Sequence, residues 1–150
     1  MRVKIEDIVG ELDGQPDDWR SFLDVKTGEI VGVTVEELRA AEEERLDQFP
    51  AGQENVTNMA AEILDQDRFL PLPTSYKVHE YGIMERYCLS LENDRLSEIM
   101  SKAIRGSGAF RRFKDTIERY GLAEDWYAFR AEALREIAVE WCGDNGIEYE

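Results

Sequence analysis

The sequence predicts an α+β fold that is mainly α, with a small N-terminal antiparallel sheet, made of a hairpin and a candidate edge strand, packed with a C-terminal helical bundle. Three observations carry this. Apolar residues recur at three- and four-residue steps through most of the chain after Glu54. Between Trp19 and Val33 the period changes to two, around a LysThrGlyGlu turn. The segment PheLeuProLeuPro at 69–73 is extended, because each proline pushes the residue before it out of the helical region. At 150 residues the chain has the length of one domain, expected to run over 1–150, and such a domain buries roughly 70% of the surface its unfolded chain exposes.

In chain order, Val3, Ile5, Ile8, Val9 and Leu12 describe a short amphipathic helix stopped by Asp13 and Gly14. Trp19, Ser21, Leu23 and Val25 then share one strand face, and Arg20, Phe22 and Asp24 the other. Gly28 can take positive φ without steric cost, so a hairpin returns through Ile30, Val31 and Val33. Thr34 followed by Glu37 fits a capping box, opening a helix from Val35 to about Gln48 whose buried side is Leu38, Ala41, the Arg45 stem and Leu46. Pro50, Ala51 and Gly52 end it, and Val56, Met59, Ala60, Ile63 and Leu64 form the stripe of a helix from about Glu54 to Asp65.

Pro71 confines the extended 69–73 segment to a sheet edge. Thr74 or Ser75 caps a helix expected from Tyr76 to Leu91, and Asn93 or Asp94 caps another through Ile104. On the first of these His79 falls on the polar side, while Glu85 falls among apolar residues beside Tyr81 and Val78. Gly106 stops the second helix and Ser107 caps the next, where Phe110, Phe113, Ile117 and Tyr120 form a core face up to a left-handed stop at Gly121. The final helix, from about Asp125 to Cys142, has an apolar arc that includes Trp126, Tyr127, Ala133, Leu134, Ile137, Ala138 and Trp141, with Arg130 in its middle.

Composition narrows the function classes. The formal net charge of −15 repels nucleic acid and anionic membranes at long range. Yet Lys102 to Arg119 holds six basic against two acidic residues, a local charge of +4. Cys88 and Cys142 are far apart without metal-ligand spacing, and His79 is the single histidine, so neither a metal nor a cofactor is expected. No apolar run is long enough for a signal peptide or a membrane span, which points to the cytoplasm.

The strings GlyAlaPheArgArgPheLysAsp at 108–115, TyrGlyLeu at 120–122, TrpTyrAlaPheArg at 126–130 and ArgGluIleAla at 135–138 resemble the C-terminal signature of the bacterial uncharacterised protein family UPF0158. LeuAspValLysThrGlyGluIleVal and PheLeuProLeuPro upstream are also similar to that family. The resemblance implies one domain over most of the chain and carries no activity with it.

Two features stand out as candidate sites. Lys102, Arg105, Ser107, Gly108, Arg112 and Arg119 surround a glycine-rich helix start, where free amides and guanidinium groups favour anions. The phosphate-binding GlyLysSer or GlyLysThr of a P-loop is absent. Arg111 with Asp115 and Lys114 with Glu118 stand four apart, as helical ion pairs do. The second feature is Arg130, whose charge inside an apolar arc demands a partner, expected to be Glu85 or, next, Asp115 in a buried ion pair. No serine, cysteine or histidine pattern indicates an enzyme. The sequence therefore points to a non-enzymatic binding or adaptor protein, docking an acidic partner or its own acidic half in a homodimer. Nucleic-acid or nucleotide phosphate binding at the same loop is the alternative.

Overall fold

The computed structural model describes residues 2–43, 54–65 and 67–150. In chain order the elements are α1 (Ile5–Leu12), β1 (Trp19–Asp24), β2 (Ile30–Thr34), α2 (Val35–Glu42), α3 (Glu54–Asp65), β3 (Phe69–Pro71), α4 (Ser75–Val78), α5 (Glu80–Ser90), α6 (Asp94–Ala103), α7 (Ala109–Arg119) and α8 (Ala123–Asp144). The fold is α+β and mainly α, with an antiparallel sheet of order β2-β1-β3 near the N-terminus. The chain divides into two compact units, residues 1–78 with 138–150, and residues 79–137.

In the first unit, Gly28 takes φ 81° and lets the chain turn, while the Asp24 carbonyl accepts the Gly28 N–H at 2.7 Å. The register pairs Ser21 with Gly32 and Leu23 with Ile30. A Cβ on Gly32 would lie 2.1 Å from the Trp19 ring, so glycine is what lets the indole lie flat on the strand. Phe69–Pro71 adds the edge strand against Phe22–Asp24, as the prolines require. One sheet face packs Phe22, Val31, Val33 and Phe69 against Leu38, Ala41, Met59, Ala60 and Ile63 of α2 and α3. On the other, Ser21 Oγ donates to Glu11 Oε2 of α1 at 3.0 Å.

Half of the expected capping box forms: the Glu37 N–H donates to Thr34 Oγ1 at 3.1 Å, while the Glu37 carboxylate accepts from that hydroxyl at 3.0 Å and not from the Thr34 N–H. Arg45, Leu46 and the Pro50 to Gly52 break lie outside the described residues, as does the side chain of Val56. Leu64, expected in the apolar stripe, is exposed instead. Val3 pairs with Tyr149 in a parallel bridge, and Ile147 donates to the Cys142 carbonyl at 2.8 Å to close the end of α8.

Asp24 is a finding that alternation did not foretell. It is only 5% exposed, accepts the Lys26 N–H at 3.0 Å and pairs with Arg68 Nη2 at 3.2 Å. The Arg68 guanidinium in turn stands 4.9 Å from the centre of the Phe69 ring.

The second unit corrects one helix. The helix expected from Tyr76 to Leu91 is broken at His79, which has left-handed φ 52° and starts α5 afresh. Histidine tolerates this region better than most residues, and Gly82 leaves room for the ring: a Cβ there would meet His79 Nδ1 at 2.6 Å. Asn93 caps α6 as expected, accepting the Arg95 and Leu96 amides at 3.0 and 3.1 Å. Gly121, with φ 66°, ends α7 while the Leu122 N–H reaches the Ile117 carbonyl at 2.8 Å. Phe113 and Ile117 are buried, whereas Phe110, Tyr120 and Tyr127, all expected in the core, are exposed.

Replacing Asp24 by Ala strands a partly buried guanidinium and a turn amide, and should lower the unfolding free energy by about 2 to 3 kcal/mol in urea denaturation. Asp24→Asn, which keeps an acceptor for the amide, should cost less. Equal losses for the two variants would show that the charge on Asp24 is the whole effect.

Candidate functional site

The basic stretch around α7 separates into two flanks with different chemistry. On one flank stands the α6–α7 junction, where Gly106 and Gly108 take φ 75° and 79°. Gly108, not Ser107, is the N-cap of α7, and no side chain caps that end. Ser107 is exposed and contributes its carbonyl oxygen instead. Arg112, though exposed, is bound to backbone: its Nε donates to the Ala103 carbonyl at 3.0 Å, and its Nη1 and Nη2 donate to the carbonyls of Ser107 and Arg105. The Ala103 carbonyl sits at the negative end of α6, where a cation is favoured, and those of Arg105 and Ser107 belong to the loop that leads into α7. Arg112 is thus a fastening between α6 and α7 that residue spacing alone did not reveal.

The remaining cations of that flank are more open. Lys102 pairs with Glu98 one turn back at 3.2 Å, both well exposed. Arg105 is exposed, and Arg119 stands 5.8 Å over the Tyr120 ring. Among the described residues, Arg111 and Lys114 form no ion pair with Asp115 or Glu118, contrary to the helical spacing.

On the other flank, α5, α7 and α8 enclose a cleft of about 260 Å³. Its floor is Met84, Phe113, Ile117 and Trp126, all buried. The floor is stiffened by edge-to-face ring contacts: Phe113 to Trp126 at 4.7 Å, Tyr87 to Trp126 at 5.3 Å and Tyr87 to Phe129 at 5.4 Å. At its rim Phe110 and Tyr127 are 58% and 57% exposed, and Lys114 lines the wall.

Arg130 is also on this wall, in an ion pair as its position demanded, but with a different acid. Its Nε lies 2.5 Å from Glu80 Oε1, the two side chains being 19% and 34% exposed. Glu85 is exposed and is not the partner, and Asp115 is exposed too. The break at His79 takes Val78 off the helix that carries Glu85, whose own side chain is exposed. It also puts Glu80 at the first position of α5, where the amide dipoles favour a carboxylate.

Burial sets the titration of three inner groups. The Tyr87 phenol, pushed up by burial and by its 2.9 Å hydrogen bond to Asp125 Oδ2, stays protonated. Burial pushes the Cys88 thiol up to about 11 and raises Cys142 as well. Both cysteines are free and buried, opposite in character to a reactive thiolate. Among the described residues no cluster of His, Cys, Asp and Glu could hold a metal, and no helix is long and apolar enough to cross a membrane.

Comparison with known proteins places these features in a family context. The model of the uncharacterised protein family UPF0158 matches residues 1–150. The UPF0158 protein PA5073 of Pseudomonas aeruginosa is 26% identical over 149 residues, covering 99% of this chain and 86% of that protein. No solved structure matches the chain.

If Arg112 fastens α6 to α7, Arg112→Ala should lower the unfolding free energy by about 1 kcal/mol. Arg112→Lys should recover little of it, because an ammonium cannot reach three separated carbonyls as the planar fork does. Urea midpoints decide it; a wild-type midpoint for the alanine variant would leave Arg112 without a structural role.

Because the Cys88 thiol titrates higher when folded, its stabilisation is intact below the ordinary value of 9.0 and fades as pH rises toward about 11. Wild-type stability should therefore fall more steeply over that window than that of Cys88→Ala. Parallel pH profiles would contradict the assignment.

Proposed function

We propose a binding function for this chain, which belongs to the uncharacterised protein family UPF0158: a non-enzymatic cytoplasmic adaptor that docks an acidic protein partner through the basic surface of α6 and α7. The observation that carries this reading is the set of exposed cations Arg105, Arg111 and Arg119, which form no ion pair among the described residues. In a chain of net charge −15, uncompensated cations gathered on one segment are a docking feature, since they steer a partner of opposite charge. Tyr120, exposed beneath Arg119, adds the aromatic and guanidinium pairing common at interface centres. A second copy of this chain is one acidic partner that would fit. The cytoplasm suits two free thiols.

Phosphate or nucleic-acid binding at the glycine-rich loop is the weaker reading. Arg112 is already matched there to the carbonyls of Ala103, Arg105 and Ser107, and such oxygens repel an approaching phosphate.

Affinity capture from a bacterial lysate, with an Arg105→Glu, Arg119→Glu variant alongside, tests the reading. The wild type should retain an acidic protein that elutes with salt, and the variant should lose it. Nuclease-sensitive material lost in the variant would replace the protein partner by nucleic acid, and identical captures would remove this surface from consideration.

A further inference from the structure

The cleft between α5, α7 and α8 has a character that the docking surface does not share. Its floor is apolar and rigid, its rim carries two exposed rings, and its charged groups are Lys114, Arg130 and Glu80. Glu80 neutralises Arg130 at 2.5 Å, which leaves the Lys114 ammonium as an excess positive charge beside apolar surface. A neutral apolar molecule would bury itself on the floor without using that charge, and a bare inorganic anion would gain nothing from the floor. A molecule with both an apolar body and one negative charge matches both.

The walls are held before any ligand arrives. The Arg130 and Glu80 pair ties α8 to α5, and Tyr81 Oη donates to the Ile104 carbonyl at 2.8 Å while its ring meets Phe110 edge-on at 6.4 Å. A preformed cleft avoids the ordering cost that weakens binding to flexible surfaces. Its volume of about 260 Å³ falls just below the roughly 300–1,000 Å³ of sites for drug-sized ligands, and suits a ligand with a single ring.

We propose that this cleft binds a small carboxylate with an apolar body, its ring or branched chain seated on Met84, Phe113, Ile117 and Trp126 and its carboxylate drawn to Lys114. The site is separate from the basic surface of the α6–α7 junction, and neither depends on the other.

The probe is 3-phenylpropionate, with neutral 3-phenylpropionamide as its control, each titrated into the full ¹⁵N-labelled chain at constant ionic strength. The acid should shift the Trp126 indole N–H and backbone amides of residues 110–130 saturably. The amide should bind about tenfold more weakly, the loss of one charge-assisted contact. Lys114→Met should reduce the acid to the affinity of the amide, and Lys114→Arg should stay within a few-fold of wild type. Lys114 is exposed, so both variants should keep the wild-type amide dispersion. No saturable shift up to about 20 mM, equal binding of acid and amide, wild-type affinity in Lys114→Met, or shifts confined to residues 102–108 would each overturn the proposal.

Discussion

The left-handed turn at His79 is the constraint on which the second compact unit depends. A helix has a fixed angle per residue, so the break separates the face of Val78 from the faces of α5. Within α5 the buried set is Ile83, Met84, Tyr87 and Cys88, one face at helical spacing. Tyr87 then sits among Phe113, Trp126 and Phe129 with its hydroxyl on Asp125, which fixes α5 against α7 and α8. Glu80, at the first position of α5, pairs with Arg130. Gly82 permits the turn before Glu80 by leaving room for the His79 ring.

Charge in this protein is sorted by what each group has available to answer it. Arg112 meets backbone carbonyls of the α6–α7 junction, Arg130 meets Glu80, and Asp24 meets Arg68 and a turn amide. For Arg130 and Asp24 this is a local solution to burial, where an unanswered charge is costly, whereas Arg112 is exposed and serves to join α6 to α7. Arg105, Arg111, Lys114 and Arg119 are exposed and carry no ion pair among the described residues. That division separates structural cations from those free to meet another molecule. It also moves interest from the glycine-rich loop itself to the two flanks of α7, one facing the end of α6 and one facing the cleft.

Membership of UPF0158 adds no activity to this picture, so the physical features have to carry the functional reading. Exposed Phe110 and Tyr127 at the rim of an apolar floor are unusual beside buried neighbours of the same helices. Their exposure adds no core packing; it widens the apolar surface that the cleft presents.

The sequence by itself determined the features that depend on residues a few positions apart. The hairpin at Gly28, the Thr34 cap on the Glu37 amide, the edge strand limited by Pro71, the Asn93 cap and the stop at Gly121 are all present, because each is set by backbone preference or one short hydrogen bond. The single charge of Arg130 on an apolar arc likewise announced an ion pair. Which acid would answer it was decided only in three dimensions, as were the exposure of Phe110 and Tyr127, the burial of Asp24 and the carbonyl targets of Arg112. Periodicity fixes the angles between side chains on one uninterrupted helix. Where a helix restarts, and which of its arcs a distant segment covers, depends on contacts between residues far apart in the chain, and those exist only in the folded structure.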